Sequence, residues 1–163
     1  MVEMKKIEEQ IGEALGLEMA AQKAVEELTS KGLLDKRGIK RKLQGMKNEA
    51  ASHQKKIEKL LQRVSESEGL NQDSIRQYAE ETSQKASQIM QTYLGEDPDT
   101  LDAIEFLCLA EGGEVTHYEV LSEIAKKLKE KKFATAEVRS ILKQEKEHLK
   151  LCTQLARENS GGS

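Results

Sequence analysis

A single proline, Pro98, stands in a chain of 163 residues whose apolar side chains recur at every third or fourth position. That combination constrains the fold more than any other feature. Proline interrupts a helix more strongly than any other residue, so its near absence lets helices run long. A repeat of three to four places the apolar residues on one face of each helix, where neighbouring helices can cover them. Glu, Lys, Gln, Ala and Leu dominate and aromatic residues make up only 3%, which also favours helix over strand. The chain is therefore expected to be all-α, and it is long enough to bury a real core without staples.

Helix A is expected from Val2 to Ser30, with Ile7, Ile11, Leu15, Val25 and Leu28 on one face. "KGLLDKRG" closes it, Gly32 and Gly38 bracketing a turn. Helix B runs from Ile39 to Ser65 on a stripe of Leu43, Met46, Ala50, Ile57, Leu60 and Val64. "SESEGLNQD" breaks the pattern, and residues 72–94 make a weaker helix carrying Ile75, Tyr78, Ala79, Ala86, Ile89, Met90 and Tyr93. Pro98 suits the first turn of helix C, which extends from Asp99 to Lys131. Phe133 falls in a short link, and Thr135 caps helix D, with Val138, Ile141, Leu142, Leu149, Cys152 and Leu155. Two helical hairpins, A–B and C–D, are thus joined by a long crossover that contains an extra helix. Residues 1–159 read as one domain and 160–163, "SGGS", as a flexible tail or linker.

The net charge is −3 and the isoelectric point about 5.8, with both signs mixed along the chain. A nucleic-acid partner would want a basic face, so none is expected. No run approaches a membrane span, and the charged opening segment does not read as a signal peptide. Cys108 and Cys152 form neither a CxxC pair nor a disulfide framework; they read as small core residues in a reduced, cytoplasmic setting.

A few ionisable residues fall where the stripes should be apolar. Glu18 continues the series Ile11, Leu15 and precedes Val25, while His53 sits between Ala50 and Ile57. Glu114 and His117 in "EVTHYE", and Glu145 and His148 in "EKEH", are three apart; Glu49 and His53 are four apart. Either spacing offers a carboxylate and an imidazole from one helix face. Glu111, one turn before Glu114, is a further inward carboxylate. Glu18 to Glu49 and Glu114 to Glu145 are each 31 residues (49 − 18 and 145 − 114). Folding each hairpin therefore brings its two glutamates to about one height.

Burying a charged group costs several kcal/mol unless it is paired or metal-bound, and carboxylates at one level repel each other. A pair of bound cations removes both problems. Carboxylate and imidazole without thiolate suit iron or manganese better than a softer metal. His117 has two readings, a ligand or support at the metal level and a histidine on the flank of helix C. Tyr118 also has two, a core phenol and a redox-active neighbour of the site, which makes it the candidate catalytic group.

These residues resemble the ferritin-like di-iron carboxylate proteins, the rubrerythrins in particular. The family pattern is Glu on helix A, ExxH on helix B, Glu on helix C and ExxH on helix D. "EGGEVTHYEVLSEIAKKLKEKKF" and "SILKQEKEHLKLCTQLAREN" look like the rubrerythrin second half, and Glu18 matches helix A. The resemblance covers roughly residues 11–65 and 104–159 and leaves out the middle helix. It implies an antiparallel four-helix bundle holding two iron ions, or iron and manganese. Glu18, Glu49, Glu114 and Glu145 would be the primary carboxylates and His53 and His148 the terminal nitrogens, with Glu111 and His117 as alternates. It implies redox chemistry on peroxide or dioxygen, a role in oxidative stress, and an external electron donor, since no rubredoxin-type CxxC pair is present; it is compatible with a homodimer. Helix B departs from the pattern: "NEAASH" is one residue longer than NExxH, so a one-residue π-bulge or a shifted ligand is expected there. Two other functions fit the same residues, iron handling by ferroxidation and a metal-free helical scaffold or interaction protein.

Overall fold

The computed structural model describes residues 3–161. Among them are five α-helices and no strand: α1 (Met4–Ser30), α2 (Arg37–Glu68), α3 (Gln72–Leu94), α4 (Thr100–Ala125) and α5 (Lys131–Asn159). The expected start at Val2 and the last two residues of the tail lie outside the described residues.

Helices α1, α2, α5 and α4 enclose a shared core, α1 packing on α2 and α4, and α5 on α4 and α2. Their directions follow from which residues meet. Ile7 and Ile11 near the start of α1 join Leu60, Leu61 and Val64 near the end of α2, Leu121 and Ile124 of α4, and Val138 of α5. At the other end Val25 and Leu28 join Ile39 and Leu43, Ile104 and Leu107, and Cys152 and Leu155. Each hairpin is therefore antiparallel. Two apolar clusters fill the ends of the bundle, and between them lies a layer of buried Glu and His.

α3 lies outside this ring, mostly along α1. It runs parallel to α1: Glu8 accepts from the Asn71 amide at 2.8 Å, and Glu27 accepts from Gln91 at 2.6 Å. Gly12 and Gly16 make the contact possible. A Cβ on Gly12 would stand 2.6 Å from the Ile75 carbonyl oxygen, and one on Gly16 would stand 2.4 Å from that of Ala79.

Local signals set the helix ends. Gly32 and Gly69, at φ 73° and 72°, stop α1 and α2 in the left-handed region that favours glycine. Leu33 N–H then reaches back to the Leu28 carbonyl, and Leu70 N–H to that of Ser65, the closure typical of a helix that ends on glycine. The Asn71 side chain caps α3, and Asp99 and Asp102 form a capping box on α4.

Several expected boundaries move. α2 begins at Arg37, so Gly38 is helical, and it runs to Glu68, so the first four residues of "SESEGLNQD" are helix. Pro98 precedes the Asp99 cap rather than entering the first turn. α4 stops at Ala125 and α5 begins at Lys131, which puts Phe133 and Thr135 inside α5. Phe133 packs against the apolar cluster that holds Ile7 and Leu60 and lies under the Arg63 guanidinium at 4.0 Å. On α3, Ile89 and Tyr93 are exposed instead of lying on the stripe. No helix among the described residues is long and apolar enough to cross a membrane.

Candidate metal centre

Six ionisable side chains meet in the polar layer: Glu18 (α1), His53 (α2), Glu111 and Glu114 (α4), and Glu145 and His148 (α5), none more than 5% exposed. Each of the four ring helices contributes, which only the paired hairpins can arrange. Five of them form two triads, Glu18–His53–Glu145 and Glu111–Glu145–His148, each with one ligand atom per residue within 4.8 Å of the others. Glu145 belongs to both. It places Oε1 2.8 Å from Nδ1 of His53 and Oε2 3.5 Å from Nδ1 of His148. The two imidazole centroids are 5.8 Å apart.

The histidines are held alike. Nδ1 of His53 faces inward, 3.3 Å from Glu18, while Nε2 meets the side-chain oxygen of Gln144. Nδ1 of His148 faces inward, 3.6 Å from Glu111, while Nε2 stands 2.6 Å from Glu49. Amide and carboxylate oxygens accept hydrogen bonds, so each Nε2 carries the proton. Each Nδ1 in turn faces carboxylate oxygens inside the layer, so on loss of its Nδ1 proton the ring would turn a lone pair toward a metal there, the orientation a metal-ligating histidine needs.

Among the described residues, Glu18 Oε2, Glu111 Oε2, Glu145 Oε2 and both oxygens of Glu114 are buried with no hydrogen-bond partner. Buried carboxylate oxygens are costly to leave so, and here they converge on two imidazole nitrogens. Oxygen and nitrogen donors without thiolate match a hard or borderline divalent ion. These buried groups could hold a metal ion.

Protonation follows from the same geometry. Burial drives the Glu114 carboxyl well above the usual range, and Glu111, Glu145 and Glu18 add to the rise. Burial lifts Glu18 to about 7 and Glu111 to about 8, against opposing contacts with His53 and His148 respectively. Burial works against the charged forms of both histidines. The carboxylates beside them prevail, raising His53 to about 10 and His148 to about 11. Glu145 also feels burial, yet His148 and His53 hold it far below the ordinary carboxylate range. Without a cation, near neutral pH, the layer is an ionised Glu145 between two imidazoliums, beside a Glu114 carboxyl that keeps its proton.

Of the residues singled out in sequence, Glu49 and His117 stand apart from the cluster. α2 is unbroken through "NEAASH", so there is no π-bulge. At 100° per residue, His53 faces the core and Glu49 falls roughly 60° to the side of Met46. Its side chain is 46% exposed and reaches the outer nitrogen of His148 instead. His117 turns to α1, its Nε2 3.0 Å from the Gln10 carbonyl oxygen and its Nδ1 3.6 Å from Glu13. Glu111, Glu114 and Tyr118 share the inward arc of α4, and His117 lies about 100° from Tyr118. Tyr118 is fully buried and donates to Oε1 of Glu18 at 2.7 Å. Burial, followed by the Glu18 charge, pushes its phenol well above the ordinary value, so the proton that orients Glu18 stays in place.

Comparison with known proteins returns no matching family model, no matching curated protein and no matching solved structure. The functional reading therefore rests on residues and geometry.

Proposed function

We propose that this chain is a ferritin-like, non-haem di-iron carboxylate protein, or an iron–manganese one, that reduces peroxide or activates dioxygen in the manner of the rubrerythrins. The observation that carries the reading is the sharing of Glu145 between two buried triads with one inward imidazole nitrogen each. Glu18 and His53 would hold one ion, Glu111 and His148 the other, with Glu145 common to both. Glu114, whose two oxygens lack partners, would complete the oxygen donors. Two bound ions of this kind supply the two electrons that reductive cleavage of a peroxide O–O bond consumes.

The rest belongs to the protein. Tyr118 fixes Glu18, Gln144 fixes His53 and Glu49 fixes His148, so the ligands are oriented before any ion arrives. The apolar clusters above and below the layer keep bulk water from competing with the carboxylates. The two cysteines are not paired and no CxxC occurs, so an external reductant is needed. The test is metal analysis of protein loaded anaerobically with ferrous or manganous ion, followed by peroxide consumption with an added electron donor. About two ions per chain and donor-dependent turnover are expected. A chain that retains neither metal after desalting overturns the reading.

A further inference from the structure

A cavity of about 340 Å³ lies between α1, α3 and α4, on the side of the polar layer formed by Glu111 and Glu114. That is within the size range of small-molecule sites. Ala20, Ala24, Ala86, Ala110 and Gly113 are among its walls. α3 is clamped to α1 at Gly12 and Gly16, and the space opens one to two turns farther along, where alanines replace the glycines. It is elongated: its α1 wall runs from Leu17 to Glu27, about 15 Å at 1.5 Å per residue.

Small side chains alone would be loose packing, but charge points to a ligand. Glu111 and Glu114 line the slot on the side of the polar layer. Lys23 and Glu27 are the ionisable wall residues outside the metal layer. Glu27 is engaged by Lys31 at 3.1 Å and Gln91 at 2.6 Å. Lys23 donates to the Ser83 hydroxyl at 3.3 Å and among the described residues makes no ion pair. An apolar slot with a free ammonium beside it and the carboxylate layer at its wall fits one class of molecule.

We propose that this cavity binds an unbranched aliphatic carboxylate of medium length, its chain in the slot toward Glu111 and Glu114 and its head group on Lys23. The chain's place beside a metal pair rests on the proposed function, whereas the binding does not. Ile89 and Leu109, each 55% exposed, lie on the cavity wall and form an apolar entrance. Apolar walls discriminate against polar ligands of the same size because the polar groups would lose water without replacement.

Calorimetric titration of the full chain with decanoate, decanol and acetate tests this, with metal content measured on the same sample. Decanoate should bind once per chain, decanol more weakly and acetate not at all. Lys23→Gln should weaken decanoate by about 3-fold, the scale of an exposed ion pair, and leave decanol unchanged. A Cβ on Gly113 meets nothing within 4 Å, so Gly113→Leu can fill the slot. It should weaken decanoate at least about 10-fold through lost apolar contact, with far-UV circular dichroism showing the helices intact. Should that variant not fold, Ala86→Leu fills the slot from α3 and is read in its place. Absent decanoate binding, or binding undiminished in the filled variant, overturns the proposal. So does a dimer that Leu109→Glu dissociates and that excludes decanoate, since a second copy would then cover the slot. Decanoate binding without iron or manganese uptake sinks the metal reading alone; uptake without decanoate binding sinks only the cavity.

Discussion

Nε2 of His148 stands 2.6 Å from a carboxylate oxygen of Glu49, and Glu49 is 46% exposed. One end of a buried imidazole is thus governed by a residue that solvent reaches. The contact fixes the tautomer whose Nδ1 faces Glu111 and Glu145, and it raises the basicity of that nitrogen. Glu49→Ala should leave the helices intact and lower the affinity of one metal by about 10- to 100-fold, the usual effect of losing a ligand's outer partner. Competitive metal titration would resolve one weakened and one normal site. Two normal sites would show that Glu49 is only a surface partner.

Gln144 holds His53 in the corresponding way, and nothing in the sequence distinguishes it from the other glutamines. An amide on a helix flank has no characteristic spacing, so its role appears only once α2 and α5 are placed side by side. Glu18, His53, Glu145 and His148 were legible because each interrupts an apolar stripe. Their neighbours were harder. "EVTHYE" has the spacing of a ligand pair, yet Glu114 and Tyr118 take the inward arc and leave His117 to Gln10 and Glu13. Three-residue spacing fixes a face only to within about 60°, enough to separate core from surface but not a ligand from its flank. The α3 docking was also hidden, because Gly12 and Gly16 in mid-helix weaken the helical signal that they serve through packing.

That docking gives a prediction of opposite signs. In α1, Gly16→Ala gains helix propensity of up to about 1 kcal/mol, but the new Cβ would lie 2.4 Å from the Ala79 carbonyl oxygen and 2.7 Å from Thr82 Cβ. Backbone must move, and overpacking of this kind typically costs 1–3 kcal/mol, so a net loss of about that order is expected. Gly45 on α2 has nothing within 4 Å of its Cβ position, so Gly45→Ala should stabilise by about 0.5–1 kcal/mol. Urea unfolding of both variants checks the contrast. Equal stabilisation would mean that α3 does not dock through the glycines.

Metal-free protein should lose stability as pH rises. Glu18 and Glu111 have folded values of about 7 and about 8 against 4.5, so their contribution is full below 4.5 and lost as pH climbs through 7 to 8. His53 and His148, at about 10 and about 11 against 6.5, contribute fully below 6.5 and lose that contribution toward 10 and 11. Both sets act in the same direction, with a limiting slope of about 1.4 kcal/mol per pH unit for each titrating group. Metal affinity should move the other way, because binding must displace those protons. Chemical denaturation of chelator-treated protein near pH 5.5 and 8.5 separates the two trends. An apo form that is more stable at the higher pH would contradict the buried, proton-holding cluster.

The sharpest separation lies between Glu114 and Glu145. Burial and three neighbouring carboxylates keep Glu114 protonated, and a protonated carboxyl is matched in shape and charge by an amide. Glu114→Gln should therefore leave apo stability within about 0.5 kcal/mol, the range of a substitution that disturbs no native interaction. It should still weaken metal binding, because an amide brings no negative charge. Glu145 is ionised between His53 and His148, 2.8 Å from the first and 3.5 Å from the second. Glu145→Gln removes that charge and leaves two buried imidazoliums without their common partner, a break that typically costs about 3–5 kcal/mol. The loss should be largest near pH 6, where both rings are charged, and shrink as pH rises and the unpaired rings shed their protons. Unfolding curves for both metal-free variants decide the matter. A stable Glu145→Gln, or a Glu114→Gln that falls as far as it does, would mean that the charge in this layer does not reside on Glu145.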